Sequence, residues 1–182
     1  MGILEGKRLL ITGVLTDASI AFSVARLAQE EGAELILTGA GRGLSLTRRT
    51  ARKLPVEPEV LEFDVTSAEQ AGALREHLST HWGSVDGALH AIGFAPEICL
   101  GEDFMAPDWD DVAVAMQISA YSLKTLAEVV APLMGQGGSI VGLDFDARYA
   151  WPAYNWMGVA KAALESASRY LARALGPDAI RV

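Results

Sequence analysis

Only one cysteine, Cys99, occurs in the 182 residues. A single thiol excludes an internal disulfide and a cysteine-based metal site. Lysine and arginine number 15 against 23 aspartates and glutamates, for a formal net charge of −8. The basic face that nucleic-acid binding requires is lacking, so nucleic acid is excluded as an expected partner. No apolar run approaches the roughly 18 residues that a membrane span needs. The N-terminus has no charged-then-apolar-then-small pattern of a secretory signal, and a cytoplasmic protein is expected. The three histidines, His77, His81 and His90, form no recognisable ligand motif. His77 and His81 stand four apart, a helical spacing, but no acidic third ligand is placed beside them, and no metal is expected. Long charged stretches poor in apolar residues are also missing, which argues against disorder.

What is present is apolar and periodic. Hydrophobic residues make up 51% of the chain, enough for one domain with a substantial core and too short a chain for two. Short apolar runs at Arg8–Thr12, Glu34–Thr38, Val60–Val65, Gly87–Ile92 and Gly138–Leu143 read as strands. Between them lie helical patterns over Ser19–Glu31, Ser67–Trp82, Asp108–Met134 and Ala153–Leu175. Ile20, Val24, Leu27 and Ala28 carry the apolar spacing of the first helix, and Ser67 with Gln70 forms a capping-box pattern for the next. Alternation of this kind predicts a Rossmann-type α/β domain: a doubly wound parallel sheet in the order 3-2-1-4-5. A ligand is expected at the carboxyl ends of the strands, near the switch between strands 1 and 4. Ile180-Arg181 begins what looks like a sixth strand just where the sequence stops. The expectation is a nucleotide-binding domain over 1–182 whose later strands and substrate-binding segment are missing.

The turn after strand 1 reads Gly13-Val14-Leu15-Thr16-Asp17-Ala18-Ser19-Ile20 and lacks the G-x-G-x-x-G fingerprint. Gly13 can still make the tight turn. Ser19 is expected to cap the following helix, whose first amides favour a pyrophosphate. Taken alone the segment is equally an ordinary strand-to-helix loop. Other strand ends strengthen the case. Asp64-Val65 ends strand 3, where an aspartate can accept a hydrogen bond from an adenine amino group. Ala91-Ile92-Gly93 ends strand 4, where a glycine lets the backbone approach a ribose. Leu143-Asp144-Phe145 ends strand 5, beside an expected nicotinamide.

Tyr154 and Lys161 stand seven residues apart. At about 100° per residue they share nearly one helix face, two turns apart. A lysine ammonium beside a tyrosine favours phenolate character and can also donate to ribose hydroxyls. The phenol could then donate to a developing oxyanion. Isolated, the pair reads more readily as a tyrosine and a lysine on an amphipathic helix. Its position one helix after the end of strand 5 is what marks it.

Several segments together carry a resemblance. They are Gly13-x5-Ser19-Ile20-Ala21, His90-Ala91-Ile92-Gly93-Phe94, Ile118-Ser119-Ala120-Tyr121-Ser122, Gly138-Ser139-Ile140-Val141-Gly142 and Pro152-Ala153-Tyr154-Asn155-Trp156-Met157. Over about Leu4 to Val182 the chain resembles the enoyl-acyl-carrier-protein reductases, most of all the mycobacterial type. These are divergent members of the short-chain dehydrogenase/reductase superfamily. Typical members of that superfamily place tyrosine four residues before lysine, where this chain has Met157, and a serine at the end of strand 5, where it has Asp144 or Phe145.

The resemblance implies an oxidoreductase of fatty-acid biosynthesis, passing hydride from NADH to the C=C of a trans-2-enoyl thioester. It makes Tyr154, Lys161 and Phe145 catalytic. Tyr154 would hydrogen-bond the thioester carbonyl, Lys161 hold the nicotinamide ribose, and Phe145 pack near the nicotinamide. Cofactor contacts would come from Gly13, Val14, Leu15, Ser19, Ile20, Ala40, Asp64, Val65, Ala91, Ile92, Gly93, Ile118, Leu143, Asp144 and Lys161. Phe94, Phe145, Tyr154 and Met157 would line the substrate. The family continues with a sixth strand, a mobile substrate-binding helix pair and a seventh strand, and pairs its long helices into homotetramers. Ala40 and Gly41 replace an aromatic residue and an acid of the mycobacterial type, and Arg42 follows. A 2′-phosphate is then less strongly rejected, so NADH is expected with NADPH as the alternative. The other readings are a short-chain carbonyl reductase, disfavoured by Met157 and Phe145, and a non-catalytic nucleotide-binding fragment.

Overall fold

A computed structural model describes residues 2–182. Five strands form where the apolar runs lie: β1 (Arg8–Thr12), β2 (Glu34–Gly39), β3 (Glu59–Glu62), β4 (Gly87–His90) and β5 (Gly138–Gly142). A two-residue β6 (Ile180–Arg181) joins them. All pair in parallel in the order 3-2-1-4-5-6, as the alternation requires. β6 pairs only with Gly138 and Ser139 at the start of β5.

The helices are α1 (Ile20–Glu30), α2 (Gly41–Ala51), α3 (Ala68–His81), α4 (Trp109–Met116), α5 (Ser122–Val130) and α6 (Asn155–Leu175). Successive strand residues face opposite ways, so β1, β2 and β4 feed two cores, while β5 buries only Ile140 and leaves Val141 exposed. Leu10, Ile36, Ala88 and Ile140 pack with α3, α5 and α6 on one side. Ile11, Leu35, Leu37 and Leu89 pack with α1 and α2 on the other. Each fully buried Leu or Ile contributes roughly 1.5–3 kcal/mol. A third, small cluster of Ala95, Cys99, Val112 and Ala115 lies under the loop after β4.

Four local expectations are corrected. Most of the apolar stripe read for α1 faces outward: Ile20, Val24 and Leu27 are exposed, and only Ala28 of the four joins Ala21, Phe22 and Ala25 on the buried face. Three alanines and Phe22 hold that face, where the helix packs against the sheet. The second correction is α2, which sequence periodicity does not announce. Its buried positions are Thr47, Thr50 and Ala51, polar or small rather than large and apolar.

The long helix expected over Asp108–Met134 is broken instead. After α4 comes a π-helical turn, Gln117–Tyr121, then α5, then a 3-10 turn at Ala131–Leu133. Pro132 has no amide hydrogen to continue the α-helical ladder. The capping box of α3 is only half made. Ser67 Oγ accepts from the Gln70 amide at 3.2 Å, but the Gln70 side chain reaches the Asp64 amide at 2.6 Å. Among the described residues no helix is long and apolar enough to cross a membrane.

Candidate active site

The carboxyl ends of β1, β4 and β5 come together because those strands are neighbours. Gly13 turns at φ +79°, and a Cβ there would sit 2.0 Å from the Ala91 carbonyl oxygen. Only glycine lets the two strand ends approach so closely. Thr12, fully buried, holds them from beneath. Its hydroxyl donates to the Leu89 carbonyl and accepts from the Ala91 amide, each at 2.9 Å. Val14 is also fully buried, so only its backbone faces the turn, whereas Leu15 is exposed.

Ser19 does not cap α1 with its side chain. Its hydroxyl turns back to accept from the Thr16 amide at 2.9 Å. The turn is thereby stiffened, and the first amides of α1 take no side-chain acceptor from Ser19. Amides left in that way at a helix start form an anion site, aided by the helix dipole. Ile20 stands exposed at the helix start.

On the β2–β3 side the arrangement is more open. Ala40 is extended (φ −129°) at the start of α2, whose first turn carries no acid. Gly41 adopts φ +49°, with nothing within 4 Å of where a Cβ would point. Gly43 lies beneath Leu15: a Cβ there would meet the Leu15 side chain at 3.2 Å. Asp64 lies beyond the end of β3, and its Oδ1 accepts from both the amide and the hydroxyl of Thr66, at 2.8 and 2.7 Å. This Asx turn pulls the chain out of the sheet, so β3 ends at Glu62 rather than at Val65. One Asp64 oxygen is therefore committed, and Val65 is buried in the core.

Beyond β4 the chain is clamped by a serine. Ser119, in the π-helical turn, accepts from the Phe94 amide at 2.8 Å and donates to the Phe94 carbonyl at 2.7 Å. A Cβ on Gly93 would stand 3.8 Å from both Ser119 Oγ and Lys161 Nζ, so the turn, the loop and the lysine converge there. Ile118 supplies its carbonyl to Ser122 Oγ at 2.6 Å. Ala91 and Ile92 are half-buried beside them, while Phe94 is exposed.

Lys161 is buried and donates to the Leu143 carbonyl at 3.1 Å. Burial pushes its pKa below the ordinary lysine range, and the nearby Asp144 carboxylate opposes that. Two ammonium hydrogens remain for other acceptors. The Asp144 carboxyl is itself pushed up, first by burial, then by Glu165, against the Phe145 amide and Lys161, which lower it. Phe145 is 46% exposed, and its ring lies 4.8 Å from that of Tyr154 and 5.7 Å from that of Trp151.

Tyr154 departs from expectation in two ways. It sits one residue before α6, in the cap position, rather than within the helix. Burial, then the charge of Asp144, pushes its phenol above the usual tyrosine range, opposite to the phenolate character expected from Lys161. A neutral phenol is a hydrogen-bond donor, which suits stabilisation of a developing oxyanion. A cavity of about 710 Å3 opens beside it, between the 101–104 segment and the 147–153 loop. Met157 points elsewhere and packs on the cluster of Ala95, Cys99, Val112 and Ala115.

The residues that sequence reasoning missed are Thr12, Ser119, Ser122 and Asn155. The serines left one signal: hydroxyls inside an otherwise apolar helical stretch, Ile118-Ser119-Ala120-Tyr121-Ser122.

The comparisons with known proteins agree on one family. Residues 13–182 match a family model described as Enoyl-(Acyl carrier protein) reductase. An enoyl-acyl-carrier-protein reductase (NADH) of Mycolicibacterium smegmatis is 48% identical over 184 residues, covering 99% of this chain and 68% of the relative. That of Mycobacterium avium is 44% identical over 183 residues, with 99% and 68% covered. The Neisseria meningitidis reductase FabI is 40% identical over 185 residues, covering 100% of this chain and 70% of the relative.

Proposed function

This chain belongs to the enoyl-acyl-carrier-protein reductase family, and from that premise we propose that it reduces the C=C bond of a trans-2-enoyl thioester with NADH in fatty-acid biosynthesis. The observation that carries the reading is the convergence of three groups on one strand end. They are the Tyr154 side chain, a Phe145 ring 4.8 Å from the Tyr154 ring, and a buried Lys161 ammonium held by the Leu143 carbonyl.

The residues present fit a dinucleotide. Gly13 gives a turn no side chain could occupy, the start of α1 offers amides, and Lys161 keeps two free donors. Gly13, Val14, Leu15, Ser19 and Ile20 would cradle the pyrophosphate. Ala40, Asp64 and Val65 would border the adenosine, with the Asp64 oxygen not bonded to Thr66 as acceptor. Ala91, Ile92, Gly93, Ile118, Leu143 and Asp144 would wall the nicotinamide half, and Lys161 would donate to its ribose. When bound, NADH supplies the hydride for the β-carbon of the substrate. Tyr154 donates its hydrogen bond to the thioester oxygen as negative charge grows there. Phe145 packs against Tyr154 and limits water at the reacting face, and Phe94 would border the acyl thioester.

Homotetramer formation is part of the same proposal. A groove of about 940 Å3 runs along α3, α5 and the end of α6, lined by Tyr121, Thr125, Leu171 and Leu175 among others. Its mixture of small, apolar and charged residues suits helix-to-helix contact with a second copy. The test of function is direct: NADH absorbance is followed with a crotonyl or dodecenoyl thioester. Thioester-dependent loss of absorbance is expected; oxidation only with a ketone substrate would transfer the assignment to carbonyl reduction.

A further inference from the structure

Tyr154 is held by its neighbours on both sides. Ala153 (φ +59°) and Asn155 (φ +47°) are both left-handed, while Tyr154 between them is right-handed (φ −89°). Non-glycine residues seldom adopt the left-handed region, and two around one residue require outside support. The support comes from one short segment, Gly101–Phe104. Gly101, itself at φ +90°, donates its amide to the Ala153 carbonyl at 2.9 Å. Asn155 Nδ2 donates to the carbonyls of Gly101 and Asp103, at 3.3 and 3.0 Å. Trp156 Nε1 donates to the Phe104 carbonyl at 3.1 Å, and the Trp156 and Phe104 rings stack at 4.7 Å. The segment thus bonds the residue before Tyr154 and the two after it.

The orientation of the Asn155 amide is set by this network. Both partners are carbonyl oxygens, so the nitrogen must face them. Oδ1 is then turned inward, buried and without a partner. An asparagine here does two things at once. It tolerates the left-handed backbone, and it donates twice. Aspartate would share only the first property, and alanine neither.

We propose that Asn155 is a positioning residue for Tyr154: by tying the Tyr154 backbone to the Gly101–Phe104 segment, it sets where the phenol meets the substrate oxygen. This rests on the enoyl-thioester reading above. Asn155 touches neither substrate nor cofactor in this assignment, so its effect must pass through the tyrosine. The predicted signature is a lowered kcat with NADH affinity preserved, because Lys161 and the strand ends are untouched.

The experiment uses Asn155→Gly, which keeps the left-handed backbone and removes the amide. Asn155→Asp keeps the backbone tolerance and turns a second acceptor toward two carbonyls. Both should lower kcat by about tenfold or more, a consequence of a slightly misplaced donor, and leave NADH affinity, read by fluorescence, within about twofold. Coupling is read from the pair with Tyr154→Phe. Once the phenol is gone, Asn155→Gly should lower kcat little further.

A second readout does not depend on turnover. The chain has four tyrosines, and 13C label at Cζ with Tyr154→Phe for assignment isolates the Tyr154 signal. Asn155→Gly should shift that signal and leave the other three in place. Multiplicative losses of kcat in the double variant, or an unmoved Tyr154 signal, would overturn the positioning role. Wild-type protein that reduces no enoyl thioester would overturn the functional reading instead, and the shift of the Tyr154 signal would still decide the positioning role.

Discussion

His90 Nε2 lies 2.6 Å from Ser122 Oγ, and neither residue has exposed surface. Ser122 uses its own hydrogen on the Ile118 carbonyl at 2.6 Å. The imidazole must therefore donate, so its proton is on Nε2 and Nδ1 is a bare, buried acceptor. The bond ties the end of β4 to the first residue of α5, just after the π-helical turn that carries Ser119. Burial, and then the charge of Lys161, pushes the His90 pKa down to about 4.

That shift gives the first prediction. Unfolded, His90 takes a proton below about pH 6.5; folded, it resists until about 4. Stability should be full above about 6.5 and fall as pH drops through that window, by up to about 3 kcal/mol. Carboxylates titrate there too, so the quantity to measure is the difference between wild type and His90→Gln in urea midpoint against pH. Parallel curves for the two proteins would show that no buried neutral imidazole contributes.

Tyr154 and Lys161 should separate by kinetic parameter. Tyr154→Phe should lower kcat on an enoyl thioester by about 10²-fold or more, with NADH affinity little changed. Lys161→Ala should weaken NADH binding itself. An unchanged kcat in Tyr154→Phe removes the oxyanion role.

Cofactor choice should turn on Gly41. Its first-turn position in α2 carries no acid, and the space beyond its Cα is open. Wild type should prefer NADH over NADPH only modestly. Gly41→Asp should widen that preference by about tenfold, a carboxylate repelling the 2′-phosphate with roughly 1.4 kcal/mol or more. Aspartate is among the residues that tolerate φ near +49°. Comparing kcat/KM for both cofactors decides it; equal use of both by Gly41→Asp would refute the assignment.

Gly13→Ala should be damaging for a purely steric reason. Its Cβ would meet the Ala91 carbonyl oxygen at 2.0 Å, in a left-handed conformation as well. A loss of about 3 kcal/mol in stability is expected from strain and overpacking together, and NADH affinity should drop with it. Urea unfolding and fluorescence titration on one preparation test both. A fully stable Gly13→Ala would mean that β1 and β4 separate easily.

Assembly is tested at the groove along α5 and α6. Tyr121 is 55% exposed there. Tyr121→Asp with Leu171→Asp should lower the oligomeric state seen by light scattering, because charge would be buried without a partner. A wild-type protein that is monomeric throughout would sink the tetramer proposal.

The strands, their parallel order and most helices were legible in the sequence because their causes are local. Apolar runs such as Arg8–Thr12 and Glu34–Thr38 can bury both faces only between helix layers. Gly13 announced the tight turn, and Ser67 the start of α3, since each acts on its immediate neighbours. Other features depend on what packs against a segment. Periodicity alone pointed to Ile20, Val24, Leu27 and Ala28, but the close sheet buried only Ala28 of these, together with Ala21, Phe22 and Ala25. The π-helical turn that places Ser119 against Phe94 rests on contacts 25 residues apart in sequence. The upward push on the Tyr154 phenol comes from its burial and from Asp144, not from the lysine seven residues away. The left-handed pair around Tyr154 exists only because the Gly101–Phe104 segment, some fifty residues earlier, accepts and donates the bonds that hold it. Local sequence thus determined which elements form and which residue types reach the strand ends. Tertiary contact decided their backbone conformations, their exposure and their protonation, because each of those depends on atoms brought in from distant parts of the chain.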